Sequence, residues 1–222
     1  MTYWIFPFAI AGAYLLGSIP FGLLIARAHG KDLRSIGSGN IGATNVSRAL
    51  GRKWAYVCFA LDVLKGLVPM LAASILVSRF SILDEHHLLL WLWLAVGCAA
   101  ILGHVFPLYV KFKGGKGVAT SFGVALGVWP YYTVCAAFAM AVWVAAVLIW
   151  RYVSLASIAA AITFPLVLIA AIWLAPGWSF AALWPLLIAA IAIPLMVIIR
   201  HRENVKRLLA STESKIRTGK KS

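Results

Sequence analysis

Charge is scarce in this sequence, and acidic charge is scarcer. Only 12% of the 222 residues are charged, and Asp and Glu together number 6 against 20 Lys and Arg. The few carboxylates are scattered, so no carboxylate cluster fit for a metal is present, and there is no H-E-x-x-H pair. No G-x-S-x-G elbow occurs, which removes the usual serine-hydrolase arrangement. There is also no H-x-x-x-x-D pair of the kind that one acyl-transfer class uses as base and orienter. The three cysteines, Cys58, Cys98 and Cys135, sit alone within apolar runs. Without C-x-x-C spacing they suggest neither a disulfide frame nor a zinc site, and they read as small packing residues. G-x-x-x-x-G-K-[ST] is absent, so no nucleotide P-loop is expected. The two halves show no internal repeat, a common mark of secondary transporters.

Apolar sequence is abundant. Hydrophobic residues make up 63% of the chain, with a mean hydropathy of +0.94. That exceeds what a soluble core requires, so the chain reads as an all-α integral membrane protein. The opening MTYWIFPFAIAGAYLLG lacks a basic leader and continues into more apolar sequence, so it reads as a first span rather than a cleaved signal. The Gly17-Ser18-Ile19-Pro20 stretch interrupts this run, and Pro20 is expected to kink it. Further runs cover 54–77, 88–110, 131–150, 152–174 and 179–199, the 88–110 run being broken at Gly103-His104 and Pro107. Residues 118–128 are apolar but short: about 17 Å of helix against about 30 Å of hydrocarbon.

Lys and Arg concentrate in 27–53, 111–116 and the tail after 200. The positive-inside rule places all three in the cytoplasm and the Asp84/Glu85 link outside. An even number of crossings must then separate the second island from the tail. The short run therefore counts as a crossing and starts recessed below the membrane surface. The expectation is seven transmembrane helices, one or more of them short, with the amino terminus outside and the carboxyl terminus cytoplasmic. Residues 1–222 form one domain, with 201–222 as a basic tail frayed after Ser211. The net charge of +14 is then accounted for by cytoplasmic loops and anionic lipid, and no nucleic-acid partner is expected.

Three polar islands face one side. The first, KDLRSIGSGNIGATNVSR (31–48), places glycines among small polar residues. Glycine lets a backbone turn through positive φ and approach a ligand closely. Thr44 or Asn45 is placed to cap a helix through Val46, Ser47 and Arg48, whose start is an anion site. Arg48 adds a fixed fork for a phosphate or carboxylate. The second, KFKGGKG (111–117), repeats the logic with Lys116 between Gly114, Gly115 and Gly117. Two such loops point to a site for two phosphate-bearing groups. In the third, Arg200-His201-Arg202-Glu203-Asn204, His201 and Asn204 share a helix face. His201 there suits a general base or a hydrogen-bond donor, and His104 is placed to line the same cleft. Asp62 and Lys65, three apart in a span, share a face. A charge at mid-span costs about 2.5–3.5 kcal/mol, so the pair should point inward, either clamping helices or serving the site.

Four segments now form a pattern: GSIPFG (17–22), IGSGNIGATNVSR (36–48), HVFPLYVKFKGGKGVAT (104–120) and RHRENVKRL (200–208). Jointly they resemble the bacterial acyl-phosphate:glycerol-3-phosphate acyltransferase family. The resemblance implies a multi-pass enzyme of phospholipid synthesis in the bacterial inner membrane, with its site facing the cytoplasm and membrane lipid around it. It would move a fatty acyl group from acyl phosphate to the sn-1 hydroxyl of glycerol 3-phosphate, giving lysophosphatidic acid and phosphate without cofactor or metal. It carries catalytic roles onto Ser38, Lys116, His201 and Asn204. Substrate-binding roles fall on Gly37, Gly39, Asn40, Gly42, Thr44, Asn45, Arg48, His104, Gly114, Gly115, Gly117 and Glu203. Two other classes fit the composition: a transporter for a phosphorylated solute, and a scaffold that binds anionic lipid.

Overall fold

Long apolar runs satisfy their own backbone hydrogen bonds only as helices when no water is at hand, and the chain folds accordingly. The structure, a computed structural model, describes residues 4–80 and 86–216. Its helices are α1 (Ile5–Gly17), α2 (Phe21–Ala28), α3 (Ala43–Leu50), α4 (Arg52–Phe80), α5 (His86–Val105), α6 (Val118–Gly127), α7 (Tyr131–Trp150), α8 (Val153–Leu174), α9 (Phe180–Arg200) and α10 (Arg202–Leu209). One 3-10 turn covers Leu108–Val110, and no strand occurs among the described residues. Six segments are long and apolar enough to cross a membrane: Ile5–Ala28, Arg52–Ser78, His87–Val110, Tyr131–Trp150, Val153–Leu174 and Phe180–Arg200. Val118–Gly127 is a seventh, shorter apolar helix, as the sequence led us to expect. The Asp84/Glu85 link lies outside the described residues. Large apolar side chains such as Leu148 and Trp173 face outward, which suits a lipid solvent.

The breaks differ in detail from the expectation. Pro20 does not kink a continuous helix; α1 stops at Gly17 and α2 restarts at Phe21. In the third span Gly103 and His104 remain helical, and the break falls after Val105, at Pro107. The two breaks satisfy one another. The Ser18 hydroxyl accepts from the Leu108 N–H at 3.3 Å, and the Tyr14 hydroxyl donates to the Phe106 carbonyl at 2.8 Å. Glycines let the backbones meet: a Cβ on Gly103 would press on the Ser18 nitrogen at 2.8 Å, and one on Gly17 on the Ala100 Cα at 2.9 Å. Non-helical backbone thus survives at membrane depth because protein groups pair with it.

The short helix α6 is held by α4. A Cβ on Gly66 would meet the backbone of Thr120 and Val124, and one on Gly123 that of Val63 and Leu67. Such small-residue seams allow close helix contact within a membrane. They seat the start of α6, and with it Lys116, against the end of α5 and the last turn of α9.

Candidate active site

The first glycine loop is folded by one amide. Gly37 and Gly39 turn through φ of +56° and +65°. Helix α3 is capped by Gly42 without a side-chain bond, so neither Thr44 nor Asn45 caps it. Asn45 lies instead in the first turn and reaches back. Its Oδ1 accepts from the Ser38 N–H at 3.1 Å, while its Nδ2 donates to the carbonyls of Leu33 at 3.0 Å and Ile36 at 2.9 Å. Only a side chain with a carbonyl and two N–H groups can do all three. Asn40 Oδ1 accepts from the Gly42 N–H at 2.9 Å. Ser38, Thr44 and Arg48 are exposed. Arg48 lies along the loop: a Cβ on Gly37 would come within 2.9 Å of its Cδ.

The second loop is clamped from both sides. The Gly115 N–H donates to the His104 carbonyl at 3.1 Å. Arg200 donates through Nη2 to the Gly115 carbonyl at 3.0 Å and the Gly114 carbonyl at 3.4 Å, and through Nε to Gly115 again at 3.3 Å. Side chains are excluded there by contact: a Cβ on Gly115 would strike the His104 ring, and one on Gly114 the His104 carbonyl and Pro107. Gly117, at φ +84°, caps α6. Arg34 Nη2 donates to the Lys113 carbonyl at 3.3 Å and joins the first loop to the second.

Beneath this loop lies a closed charged cluster. Lys65 Nζ stands 2.8 Å from Asp62 Oδ1 and donates to the Ile19 carbonyl at 2.9 Å. His104 Nδ1 is 3.6 Å from the same Asp62 oxygen. Asp62, Lys65 and His104 are all buried, with 2–4% of their surface exposed.

The third island meets the second through Lys116, whose ammonium donates to Asn204 Oδ1. His201 Nδ1 is 2.7 Å from the Val197 carbonyl. A carbonyl only accepts, so Nδ1 carries the proton and Nε2 is left with a free lone pair. Burial, and then the nearby Lys116, hold His201 down at about 4, so the ring is neutral at physiological pH. Burial pushes Lys116 down to about 8; Glu213 opposes that, while Arg207, Arg48 and Arg200 add to it. Three arginines therefore act on Lys116 against one carboxylate. Beside Arg200 a groove of about 540 Å³ runs along α9, lined by Phe106, Leu195, Met196 and Ile199, with Arg200, Arg202 and Glu203 toward one end. No group of three His, Cys, Asp or Glu among the described residues is placed to hold a metal.

A cluster of cations around Lys116 in the second glycine loop, with an apolar groove beside Arg200, suits a substrate that is part phosphate and part lipid. The model of one family, described as Glycerol-3-phosphate acyltransferase, matches residues 7–211. The chain belongs to that glycerol-3-phosphate acyltransferase family. It is similar to the glycerol-3-phosphate acyltransferase of Aquifex aeolicus, 47% identical over 208 residues, which cover 93% of this chain and 96% of the relative. Another such acyltransferase, from Trichlorobacter lovleyi, is 46% identical over 210 residues, covering 95% and 97%. A crystal structure of PlsY (YgiH), described as an integral membrane glycerol 3-phosphate acyltransferase in its glycerol 3-phosphate form, superposes with a TM-score of 0.81 at 46% identity, covering 96% of each chain. Its lysophosphatidic acid form gives 0.78 at 45% identity, again covering 96% of each. Like its relative, this acyltransferase is an integral, multi-pass membrane protein.

Not every residue singled out in the sequence of the acyltransferase joins the cluster. Lys116, His201 and Asn204 come together, with Arg48 and Arg200 close enough to act on Lys116 and with Gly114, Gly115 and Gly117 in the same loop. Asn45 and His104 are present as buried supports, one under each loop. Glu203 turns away: its side chain is 58% exposed and pairs with Lys206 at 3.2 Å. Sequence reasoning missed Arg200 as the clamp of the second loop. It also missed Ser154 and Glu213. Residues 212–216 are tied down rather than frayed: the Ile216 N–H donates to the Arg151 carbonyl at 2.8 Å, and Lys215 Nζ lies 5.3 Å from the Tyr152 ring centre. No short motif marks a contact such as that of the Ser154 hydroxyl with Glu213 Oε1, 59 residues apart in sequence.

Proposed function

We infer that this chain transfers a fatty acyl group from acyl phosphate to the sn-1 hydroxyl of glycerol 3-phosphate. The products are lysophosphatidic acid and inorganic phosphate. The site faces the cytoplasm from the bacterial inner membrane, the basic islands and tail lying on that side. The observation that carries this reading is the surplus of cations around Lys116, in the second glycine loop and near an apolar groove beside Arg200.

Acyl phosphate is already activated, so the protein must hold two anions, aim one hydroxyl and stabilise an oxyanion. Lys116, Arg48 and those loop N–H groups not already bonded within the protein hold the phosphates. Ser38, His201 and Asn204 aim the glycerol 3-phosphate hydroxyl at the acyl carbon. The hydroxyl oxygen forms the new ester bond, the acyl–phosphate C–O bond breaks, and phosphate leaves with the bonding pair. His201 Nε2 accepts a hydrogen bond from the hydroxyl, but a ring held at about 4 is a weak proton acceptor. A phosphate monoester, with a second pKa of about 6, is the stronger base. The proton therefore ends on phosphate. The acyl chain lies in the groove along α9, its carbonyl directed toward Arg200 and Lys116.

The test is phosphate release by purified protein given palmitoyl phosphate and glycerol 3-phosphate in metal-free buffer. Release that needs both substrates, with equal lysophosphatidic acid formed and with Lys116→Ala and His201→Ala impaired, supports the reading. Folded wild-type protein that releases nothing, or variants that match it, would refute it. Uptake of glycerol 3-phosphate into sealed vesicles without covalent change would point to a transporter.

A further inference from the structure

Glu213 lies beyond residue 211, where the family match ends, yet its carboxylate sits inside the cluster. Oε1 accepts from Asn204 Nδ2 at 2.6 Å and from the Ser154 hydroxyl at 2.9 Å, and Oε2 accepts from Arg207 Nε at 2.7 Å. The side chain is only 6% exposed. Its segment is held on both sides: the N–H groups of Thr212 and Glu213 donate to the Arg207 carbonyl at 2.8 and 3.2 Å, and Ile216 is bonded to Arg151. Three donors from α8 and α10 thus converge on one tail carboxylate.

We propose that Glu213 is a positioning residue for acyl transfer, fixing the Asn204 amide so that its oxygen faces and holds Lys116. A carboxylate only accepts, so the Asn204 NH₂ must turn toward Glu213, and the Asn204 oxygen is then presented to the ammonium. An unanchored amide can flip and offer Lys116 an N–H instead, which repels it. Glu213 also supplies the counter-charge. The charged and titratable groups facing Lys116 are Arg48 from α3, Arg200 from α9, His201 at the α9–α10 junction, Arg207 from α10 and Glu213 itself. Glu213 alone among these is negative. Burial would raise its carboxyl, but the bonds from Asn204, Arg207 and Ser154 outweigh that and keep it below the ordinary value. It is therefore ionised across the neutral range in which Lys116 titrates. Removing it leaves the ammonium among cations only, which disfavours the protonated form.

This inference rests on the acyl-transfer reading, and its test separates the two. The assay is kcat/KM for transfer from palmitoyl phosphate to glycerol 3-phosphate by the full chain in lipid, between about pH 6 and pH 9, a range that spans Lys116 titration. Glu213→Gln keeps the size and loses the charge. It should lower kcat/KM roughly 10- to 100-fold, the usual range for a lost charge-assisted hydrogen bond, and move the basic limb to lower pH. Ser154→Ala, which removes one anchor of Glu213 without touching Lys116 or Asn204, should move the limb the same way by less. Glu213→Asp should recover part of the loss. A Glu213→Gln basic limb that coincides with that of wild type overturns the proposal, whatever the loss of rate. If Glu213→Gln fails to fold, a wild-type limb in Ser154→Ala overturns it. Absence of transfer by wild type would instead strike the acyl-transfer reading.

Discussion

Two charged clusters sit within a few residues of the second glycine loop, and they differ in balance. Below the loop, Lys65 meets Asp62 and the Ile19 carbonyl, and Asp62 meets His104; all are buried and every partner is protein. Above it, Lys116, Arg48, Arg200 and Arg207 face Glu213 as their lone carboxylate. A balanced buried pair needs nothing further, and its removal as a unit is often nearly neutral, whereas removing one partner strands a charge. An unbalanced cluster that remains open calls for an anion from outside. On the proposed function, the lower cluster is part of the scaffold and the upper one the binding site, although both are built from basic and acidic side chains.

The largest expected effects fall on opposite observables in the two clusters. Asp62→Ala should cost about 3–5 kcal/mol of stability by stranding Lys65 in the bundle, read as lost folded yield or a lower Tm. Lys116→Ala should leave Tm nearly unchanged and lower kcat roughly 100- to 1000-fold, as removal of an oxyanion-type donor does. Wild-type activity should also fall as pH rises through about 8, because Lys116 loses its proton there. His201, held at about 4, should contribute no acidic limb between about pH 5 and pH 7. A Lys116→Ala enzyme that kept its rate but melted early would erase the distinction. Between the clusters, Gly115→Ala forces a methyl onto the His104 ring and should cost about 1–3 kcal/mol, the range for overpacking, seen mainly as a raised KM. The smallest effect should come from Glu203→Gln. Its exposed ion pairs are worth about 0–1 kcal/mol, so kcat/KM should stay within about twofold of wild type.

Much of the frame is legible in the sequence because lipid leaves the chain few choices. Six apolar runs and one short one become helices, and the run at 118–128 closely matches α6. The glycine loops are also visible, since Gly37, Gly39 and Gly117 do take positive φ. Local polar detail is less legible. Thr44 and Asn45 fit a capping pattern, yet Gly42 takes the cap, because Asn45 makes three bonds back to the loop and one bond as a cap cannot compete. Pro20 suggests a kink, but the Ile19 carbonyl freed by a full break finds Lys65. Gly103 looks like a breaker and is instead the contact point with α1, where only a hydrogen fits. Arg200 and Glu213 escape notice for a different reason. Each acts across more than fifty residues of sequence, and only the folded chain brings the tail, α8 and the second loop together.

The most direct test of the difference between the clusters is the shift in Tm that saturating glycerol 3-phosphate produces in lipid-embedded protein. A ligand that binds only the folded state raises Tm. The account predicts a rise for wild type, the same rise for the Asp62→Asn, Lys65→Met double variant, and little or none for Lys116→Ala. A rise in Lys116→Ala equal to that of wild type, or its loss in a folded double variant, would contradict the claim that the upper cluster holds the substrate and the lower one only the scaffold.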